Sequence, residues 1–412
     1  MKRIATLGIV WLAFVLATAA MSAQDLGANY GVNVTTGIVY GTATRFDGGT
    51  DTLKLDLYTP VGDANTQRPL MIWIHGGGFV QGNRTEMDAA CRAFTRIGFA
   101  CATVSYRLGF YPPPPLSNPF AADSVEVIRA VYRAVQDVKG AMRFLAGRAA
   151  TDSTDVSRVV LAGVSAGAIT AIHVAFADDD ERPECTRSAP ALSFPGQAPI
   201  QRGDMGSFDG TLHTDKPLPR IAAVVNMLGA IDDTTWIDAD ESVPMYSYHQ
   251  TGDPIVGCKK ERGLYNFPLN VGGNYPYLFG TCLIEQRMQN LFGSTPDRKT
   301  WIYDGVNHDL HDATAIIIDG AIWLVELLKK PTTVGDEPQT RQSITIAPQP
   351  ADDVVRIRAD HPFASLMVVD LQGRTLRSVN VGARDHALSL EGLASGMYML
   401  RIDGTSLPLV VR

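Results

Sequence analysis

Charge is in short supply in this sequence. Asp, Glu, Lys and Arg make up 19% of its 412 residues, and the balance is acidic, with a formal net charge of −7. There is no basic surplus with which to hold a polyanion, which argues against a nucleic-acid binder. Cysteine is sparse as well: the five are Cys91, Cys101, Cys185, Cys258 and Cys282. None stands as Cys-x-x-Cys, so neither a zinc knuckle nor a dithiol redox centre is supported. The odd number leaves at least one thiol without an intrachain partner. Past the N-terminus no apolar run is long enough to span a bilayer, and no internal repeat is visible.

The N-terminus has the three parts of a signal peptide. Lys2-Arg3 is a basic start, residues 9–20 are apolar, and Met21-Ser22-Ala23 ends in small residues before Gln24. The apolar stretch is short for a membrane span. Residues 1–23 are therefore expected to be removed, leaving an exported, soluble protein with no membrane span. Export permits disulfides.

Residues 37–45 and 52–58 alternate as strands do and are joined through Asp47-Gly48-Gly49, a hairpin signal. Leu70-Met71-Ile72-Trp73-Ile74 is continuously apolar, as in a strand buried on both faces, and runs into His75-Gly76-Gly77-Gly78-Phe79. A short helix over 86–96 and a strand over 99–105 follow. Phe110-Tyr111 and the prolines after them make a stiff loop. Asp123 can cap a long helix whose Val125, Ile128, Val131, Val135, Val138, Met142 and Leu145 recur at helical spacing. A strand, a tight turn at 163–167 and a helix come next. Residues 178–219 are polar, rich in Gly and Pro, and read as a partly mobile inserted loop. Strands are expected over 221–228, 245–249 and 300–303, and helices over 283–291 and 314–328. A second insertion, 257–280, carries Tyr265, Phe267, Tyr275, Tyr277 and Phe279. Strands alternating with helices predict an α/β fold, a mostly parallel sheet with helices on both faces. From about residue 332 the texture changes to a linker (332–342) and then seven short alternating segments, expected to form a small all-β sandwich over 343–412.

Chemistry concentrates in three places. Gly163-Val164-Ser165-Ala166-Gly167 follows an apolar run and precedes a helix-compatible one. Such a turn lifts a serine hydroxyl above the sheet edge, with the new helix directing N–H groups at a developing oxyanion. Asp253 follows the strand expected at 245–249, and His308 follows the last strand. Ser, then Asp, then His is a chain order of acyl-transfer triads. Asp232, Asp233 and His311 compete for the last two roles, and His75 is read as a structural hydrogen-bonder.

These motifs together resemble the carboxylesterase and lipase group of α/β-hydrolases over roughly residues 30–330. The matching pieces are Leu55-Asp56-Leu57-Tyr58-Thr59-Pro60, the His-Gly-Gly-Gly-Phe run, Val104-Ser105-Tyr106-Arg107-Leu108, the Ser165 pentapeptide, Gly252-Asp253-Pro254-Ile255-Val256 and Asn307-His308-Asp309. The resemblance implies an α/β-hydrolase fold over 24–331, with Ser165 as nucleophile, Asp253 and His308 as triad partners, and Gly77, Gly78 and Ala166 as oxyanion donors. Asn307 departs from the glycine common before the histidine. No metal or cofactor is required. The implied activity is that of a secreted serine carboxylic-ester hydrolase, acting on small esters, acylated or feruloylated polysaccharide, or polyester. A serine peptidase on the same fold and a non-catalytic surface binding protein are the alternatives.

The last ~70 residues resemble the C-terminal sorting domain of the type IX secretion system. The matches include Ala347-Pro348-Gln349-Pro350, Leu393-Ala394-Ser395-Gly396-Met397-Tyr398 and the basic end Val410-Val411-Arg412. Gln349 replaces the usual Asn. The resemblance implies a partnership with secretion machinery. Two further expectations concern the loops. Phe110, Tyr111, Tyr275 and Tyr277 are expected to line the substrate site. Cys258 and Cys282 flank the second insertion and are expected to pair, with Cys91 and Cys101 as a second candidate bridge.

Overall fold

The computed structural model describes residues 29–116, 120–266, 271–295, 297–329, 344–348, 351–369, 375–402 and 405–411. The expected signal peptide, the expected linker and Phe267 lie outside these residues, as does Gln372-Gly373, which the sequence places as a turn between two of the C-terminal segments. The described residues fall into two compact units.

The larger unit is built on one eight-stranded sheet. Its strands are β1 (Gly31–Thr44), β2 (Thr50–Val61), β3 (Arg68–Ile74), β4 (Ala100–Val104), β5 (Thr154–Val164), β6 (Ile221–Met227), β7 (Met245–Gln250) and β8 (Arg298–Tyr303). The spatial order is β1-β2-β4-β3-β5-β6-β7-β8. β2 runs antiparallel to both β1 and β4, and every later neighbour is parallel. The longer helices are α1 (Asp88–Arg96), α2 (Ser124–Gly147), α3 (Ala166–Phe176), α4 (Thr281–Phe292) and α5 (Ala313–Lys329).

The apolar run of β3 explains the layering. Successive side chains of a strand point to opposite faces. Leu70, Ile72 and Ile74 pack with α2, α3 and α4 in one core. Met71 and Trp73 pack with α1 and α5 in the other. Each such side chain, fully buried, contributes roughly 1.5–3 kcal/mol, so a strand loaded on both faces has one stable place, the middle of the sheet.

Asp123 caps α2, its side chain accepting the Glu126 N–H. The burial of α2 exceeds the expected stripe. Val131, Val135, Val138, Met142 and Leu145 are buried, and so are Arg133, Gln136, Lys139 and Arg143 on other faces. The 178–219 segment is the reason. It lies along α2 and is bonded to it through polar contacts. Gln136 donates to the carbonyls of Met205 (2.9 Å) and Ser207 (2.8 Å). Arg129 donates to those of Cys185 (2.9 Å) and Gly203 (2.8 Å).

The smaller unit holds β9 (Ile344–Ala347), β10 (Val354–Val369), β11 (Thr375–Ser389), β12 (Gly396–Ile402) and β13 (Thr405–Val411). All pair antiparallel, in the order β9-β10-β12-β13 with β11 on β10. Five strands therefore stand where seven segments were expected. Register shifts around Phe363 let β10 and β11 run on through what the sequence pattern broke in two; an extra residue bends a strand without ending it. Its core, including Val355, Ile357, Phe363, Leu366 and Leu400, is its own.

Candidate active site

Three side chains meet beyond the carboxyl ends of β5, β7 and β8. Ser165 is the residue between β5 and α3, at φ 55° and ψ −122°. Its N–H donates to Met227 O (2.8 Å), and its carbonyl accepts the Ile169 N–H (2.9 Å). The turn closes only because its neighbours are glycine: a Cβ on Gly163 would collide with the Gly167 backbone, and one on Gly167 with Ile74 O. Ser165 is thereby held, half-buried, at the sheet edge.

His308 Nε2 lies 2.8 Å from Ser165 Oγ, and His308 Nδ1 lies 2.6 Å from Asp253 Oδ2. A carboxylate can only accept, so Nδ1 carries the proton and Nε2 is free to accept from the serine hydroxyl. Asp253 is fully buried, whereas His308 keeps 17% of its side chain exposed. Asp253 Oδ1 accepts the N–H groups of Ile255 (2.9 Å) and Val256 (3.0 Å). Burial alone would push this carboxyl up, but hydrogen bonds and charge from His249 and His308 outweigh it and hold Asp253 at about 2.

Two residues absent from the motif reading complete this end of the site. His249 Nε2 sits 3.5 Å from Asp253 Oδ2 and donates to the Val256 carbonyl at 2.8 Å. Its Nδ1 lies 2.8 Å from Thr281 Oγ1, at the start of α4. Gln250 brackets the histidine loop: its Nε2 donates to Asp309 O (2.9 Å) and Oδ1 (2.6 Å), and its Oε1 accepts the Asn307 N–H (3.0 Å). Asn307, the departure from the usual glycine, is thus held through its backbone. The available signal was two large polar residues closing a strand that is buried at all its positions.

The competing residues are engaged elsewhere. His311 Nδ1 is 2.9 Å from Tyr248 Oη, and its ring stacks on Tyr303 at 3.7 Å. Asp232 faces His173 (3.2 Å), and Asp233 accepts the Thr235 N–H (2.9 Å). His75 stacks on Tyr106 at 4.4 Å and donates from Nδ1 to Gly76 O. Burial, partly offset by that bond, lowers His75 to about 4, so it is neutral.

The glycine loop lies against the elbow: a Cβ on Gly76 would stand 3.5 Å from Ser165 Cβ. Gly77 and Gly78 have φ of 105° and 60°. The Gly77 carbonyl accepts the N–H groups of Val80 (3.1 Å) and Gln81 (3.2 Å). Among the described residues, the N–H groups of Gly77, Gly78 and Ala166 have no acceptor.

The aromatic loop residues divide. Phe110 is fully buried and Tyr275 nearly so, both in the core shared with α2. This corrects the expectation that they face substrate; an apolar ring at a loop base is more stable anchoring the loop than facing water. Tyr111 is half-buried, edge-on to Phe46 at 5.0 Å. Tyr277 is half exposed, with the Arg262 guanidinium 4.3 Å over its ring. Tyr277 lies in a short strand, Tyr277–Gly280, paired with Lys260–Arg262.

Cys258 and Cys282 are joined by a disulfide across the base of that insertion. Cys91 and Cys101 are not joined and remain free, buried thiols, which corrects the second expected bridge. One projects from α1 and the other from β4 into the same apolar core, where a thiol packs as a small hydrophobe. Among the described residues no group of three or more His, Cys, Asp or Glu is arranged to hold a metal ion.

A parallel sheet with an antiparallel start and a serine elbow on its central strand defines an α/β-hydrolase. More narrowly, the BD-FAE family model matches residues 55–262, about half the chain, and the chain belongs to that family. Residues 345–410 match the model described as a secretion system C-terminal sorting domain, which places the protein at the cell surface or outside. Phenmedipham hydrolase of Pseudarthrobacter oxydans is 33% identical over 122 residues, covering 29% of this chain and 22% of that protein. Carboxylesterase 3B of Mus musculus is 32% identical over 119 residues, 28% of this chain and 19% of that one. The matched region thus spans about a fifth of each of these relatives' length. Thermogutta terrifontis esterase 2 phosphorylated by paraoxon is a similar solved structure, with a TM-score of 0.42 and 19% identity over 72% of this chain and 94% of that one.

Proposed function

We propose that the protein is an exported serine carboxylic-ester hydrolase. The observation that carries this reading is the relay of Ser165, His308 and Asp253 at 2.8 and 2.6 Å on a strained elbow. Ser165 Oγ attacks the ester carbonyl as His308 Nε2 takes its proton. Asp253 fixes the tautomer and stabilises the imidazolium. The N–H groups of Gly77, Gly78 and Ala166 receive the oxyanion; removing one such donor typically costs about 10²–10³ in kcat. The imidazolium protonates the leaving alcohol, and water, deprotonated by the same histidine, hydrolyses the acyl-enzyme. We assign the physiological ester to acylated or feruloylated polysaccharide, or polyester. Export supports this choice, because polymers too large to import must be cut outside the cell. Treatment with a fluorophosphonate, followed by intact mass and peptide mapping, should give one adduct, on Ser165. A p-nitrophenyl ester panel beside acylated oligosaccharides should then be hydrolysed by wild type and not by Ser165→Ala. An unlabelled Ser165 in folded protein, with no turnover of any ester, would overturn the reading.

A further inference from the structure

A second feature of the larger unit has no role in that chemistry. A cavity of about 280 Å³ lies between α2, the 178–219 segment and the loop after β4. Its lining includes Arg107, Arg129, Arg133 and Arg202, with Phe46 and Tyr111 as an aromatic wall.

Two of these guanidinium groups are matched by carboxylates. Arg107 Nε contacts both oxygens of Asp137 (2.9 and 3.0 Å). Arg202 donates to both oxygens of Asp123 (3.1 and 2.7 Å) and lies 3.4 Å from Glu126. Asp204, also on the lining, is paired with Arg182. Arg129 and Arg133, one turn apart on α2, have no carboxylate within 4.0 Å among the described residues. Arg129 spends its two terminal nitrogens on carbonyls.

Arg133 is the sharper case. It is 5% exposed. Its Nη2 donates to Gly109 O at 2.8 Å, and its Nε is buried with no partner. Its Nη1 makes no bond to a described residue, and the side chain lines the cavity. Burial first, and then the charge of Arg107, lower Arg133 to about 10. A buried cation without a counter-charge costs stability unless something supplies one. Glu126, itself on the lining, offsets part of that field, which favours a monoanion over a dianion.

We infer that this cavity is a binding site for a small organic carboxylate, free or as the acidic sugar of a larger glycan. Arg133 and Arg129 would supply the charge-assisted hydrogen bonds, and Phe46 and Tyr111 an apolar wall for a ring. The volume is close to the lower bound for small-ligand pockets. The inference does not depend on the esterase reading, because binding is measured directly.

The test is calorimetric titration of the full protein at low ionic strength with D-galacturonate, a galacturonate trimer, benzoate, D-galactose and inorganic phosphate. Saturable 1:1 binding of at least one carboxylate, with none of galactose, is expected. Tighter binding of the trimer than of the monomer identifies a glycan as the source, and the reverse a free acid. Arg133→Met and Arg129→Gln should each weaken binding about tenfold or more. Circular dichroism and Tm check their folding, and the half-buried Arg129 keeps the test alive if Arg133→Met does not fold. No carboxylate binding below about 10 mM, phosphate binding tighter than every carboxylate, or affinity unchanged in a folded variant would each overturn the inference.

Discussion

Asp253 and Arg133 are both buried charges in the larger unit, and they are treated in opposite ways. Asp253 accepts two backbone N–H groups and the His308 imidazole, with His249 3.5 Å from the same carboxylate. Arg133 has one carbonyl and an orphaned Nε. A fully satisfied buried charge fixes geometry, because each partner would be stranded if it moved. An under-satisfied one stores a need that a ligand can meet. On the two readings proposed above, the contrast separates a part of the molecule that would hold a reaction in place from one that would take up an arriving group.

The largest break should come on the satisfied side. Ser165→Ala should lower kcat on p-nitrophenyl acetate by about 10⁴-fold or more, with Tm no lower than that of wild type. Asp253→Asn should cost a similar factor, since an amide no longer enforces the imidazole tautomer. It should also change acid stability. The folded carboxyl, at about 2, lies below its ordinary value of 3.8. Its contribution is therefore complete above about pH 4 and lost as pH falls towards 2. Integrated, the shift is worth about 2 kcal/mol. Chemical denaturation at pH 6 and pH 2.5 should show wild type losing about 1.5 kcal/mol more between the two pH values than the Asn variant does.

Smaller effects test the supports. Gln250→Ala frees both flanks of His308 and should lower kcat about tenfold or more with little change in KM, since misplacement of a reacting group is costly. His249→Gln removes a donor beside Asp253, which strengthens the carboxylate's hold on the His308 imidazolium. The acid limb of kcat/KM should move to higher pH, by up to about one unit; an unmoved limb would make His249 a packing residue only. The smallest effect belongs to the other side of the contrast. Arg133→Met should change the stability of the unliganded protein by no more than about 1 kcal/mol, and in the stabilising direction, because removing an unmatched buried charge relieves its desolvation cost. A loss above 2 kcal/mol in urea denaturation would mean that Arg133 is satisfied in solution.

The parts of the site that were legible in the sequence are those where backbone geometry demands particular residues. The elbow at 163–167 needs glycine at both flanks, and the strand β3, apolar on both faces, could only be central. The order Ser165, Asp253, His308 follows from strand ends that such patterns mark. His249 and Gln250 were not legible, because a polar residue inside a strand does not show what it will meet across the sheet edge. Phe110 and Tyr275 misled for a related reason: an aromatic residue in a loop has the same spelling whether it anchors the loop or faces a ligand. The polar character of 178–219 suggested mobility, yet backbone carbonyls of that segment and the Arg202 side chain bond α2 and its cap. In the smaller unit, a bulge looks like a strand end when only alternation is read. Cys91 and Cys101 show that closeness in the fold does not by itself imply a bond.

Ser165 sits at φ 55° with a side chain on its Cα, in a region of backbone space that residues other than glycine rarely occupy and that costs of order 1–3 kcal/mol. The consequence is evolutionary. A Ser165→Gly substitution relieves that cost and removes the hydroxyl in one step, so the most accessible route to a sturdier molecule passes through an inert one. Under selection for persistence alone, outside the cell and away from its substrate, the lineage has a downhill path to losing the chemistry. On the proposed mechanism, the backbone cost carried at Ser165 is the cost of placing its hydroxyl.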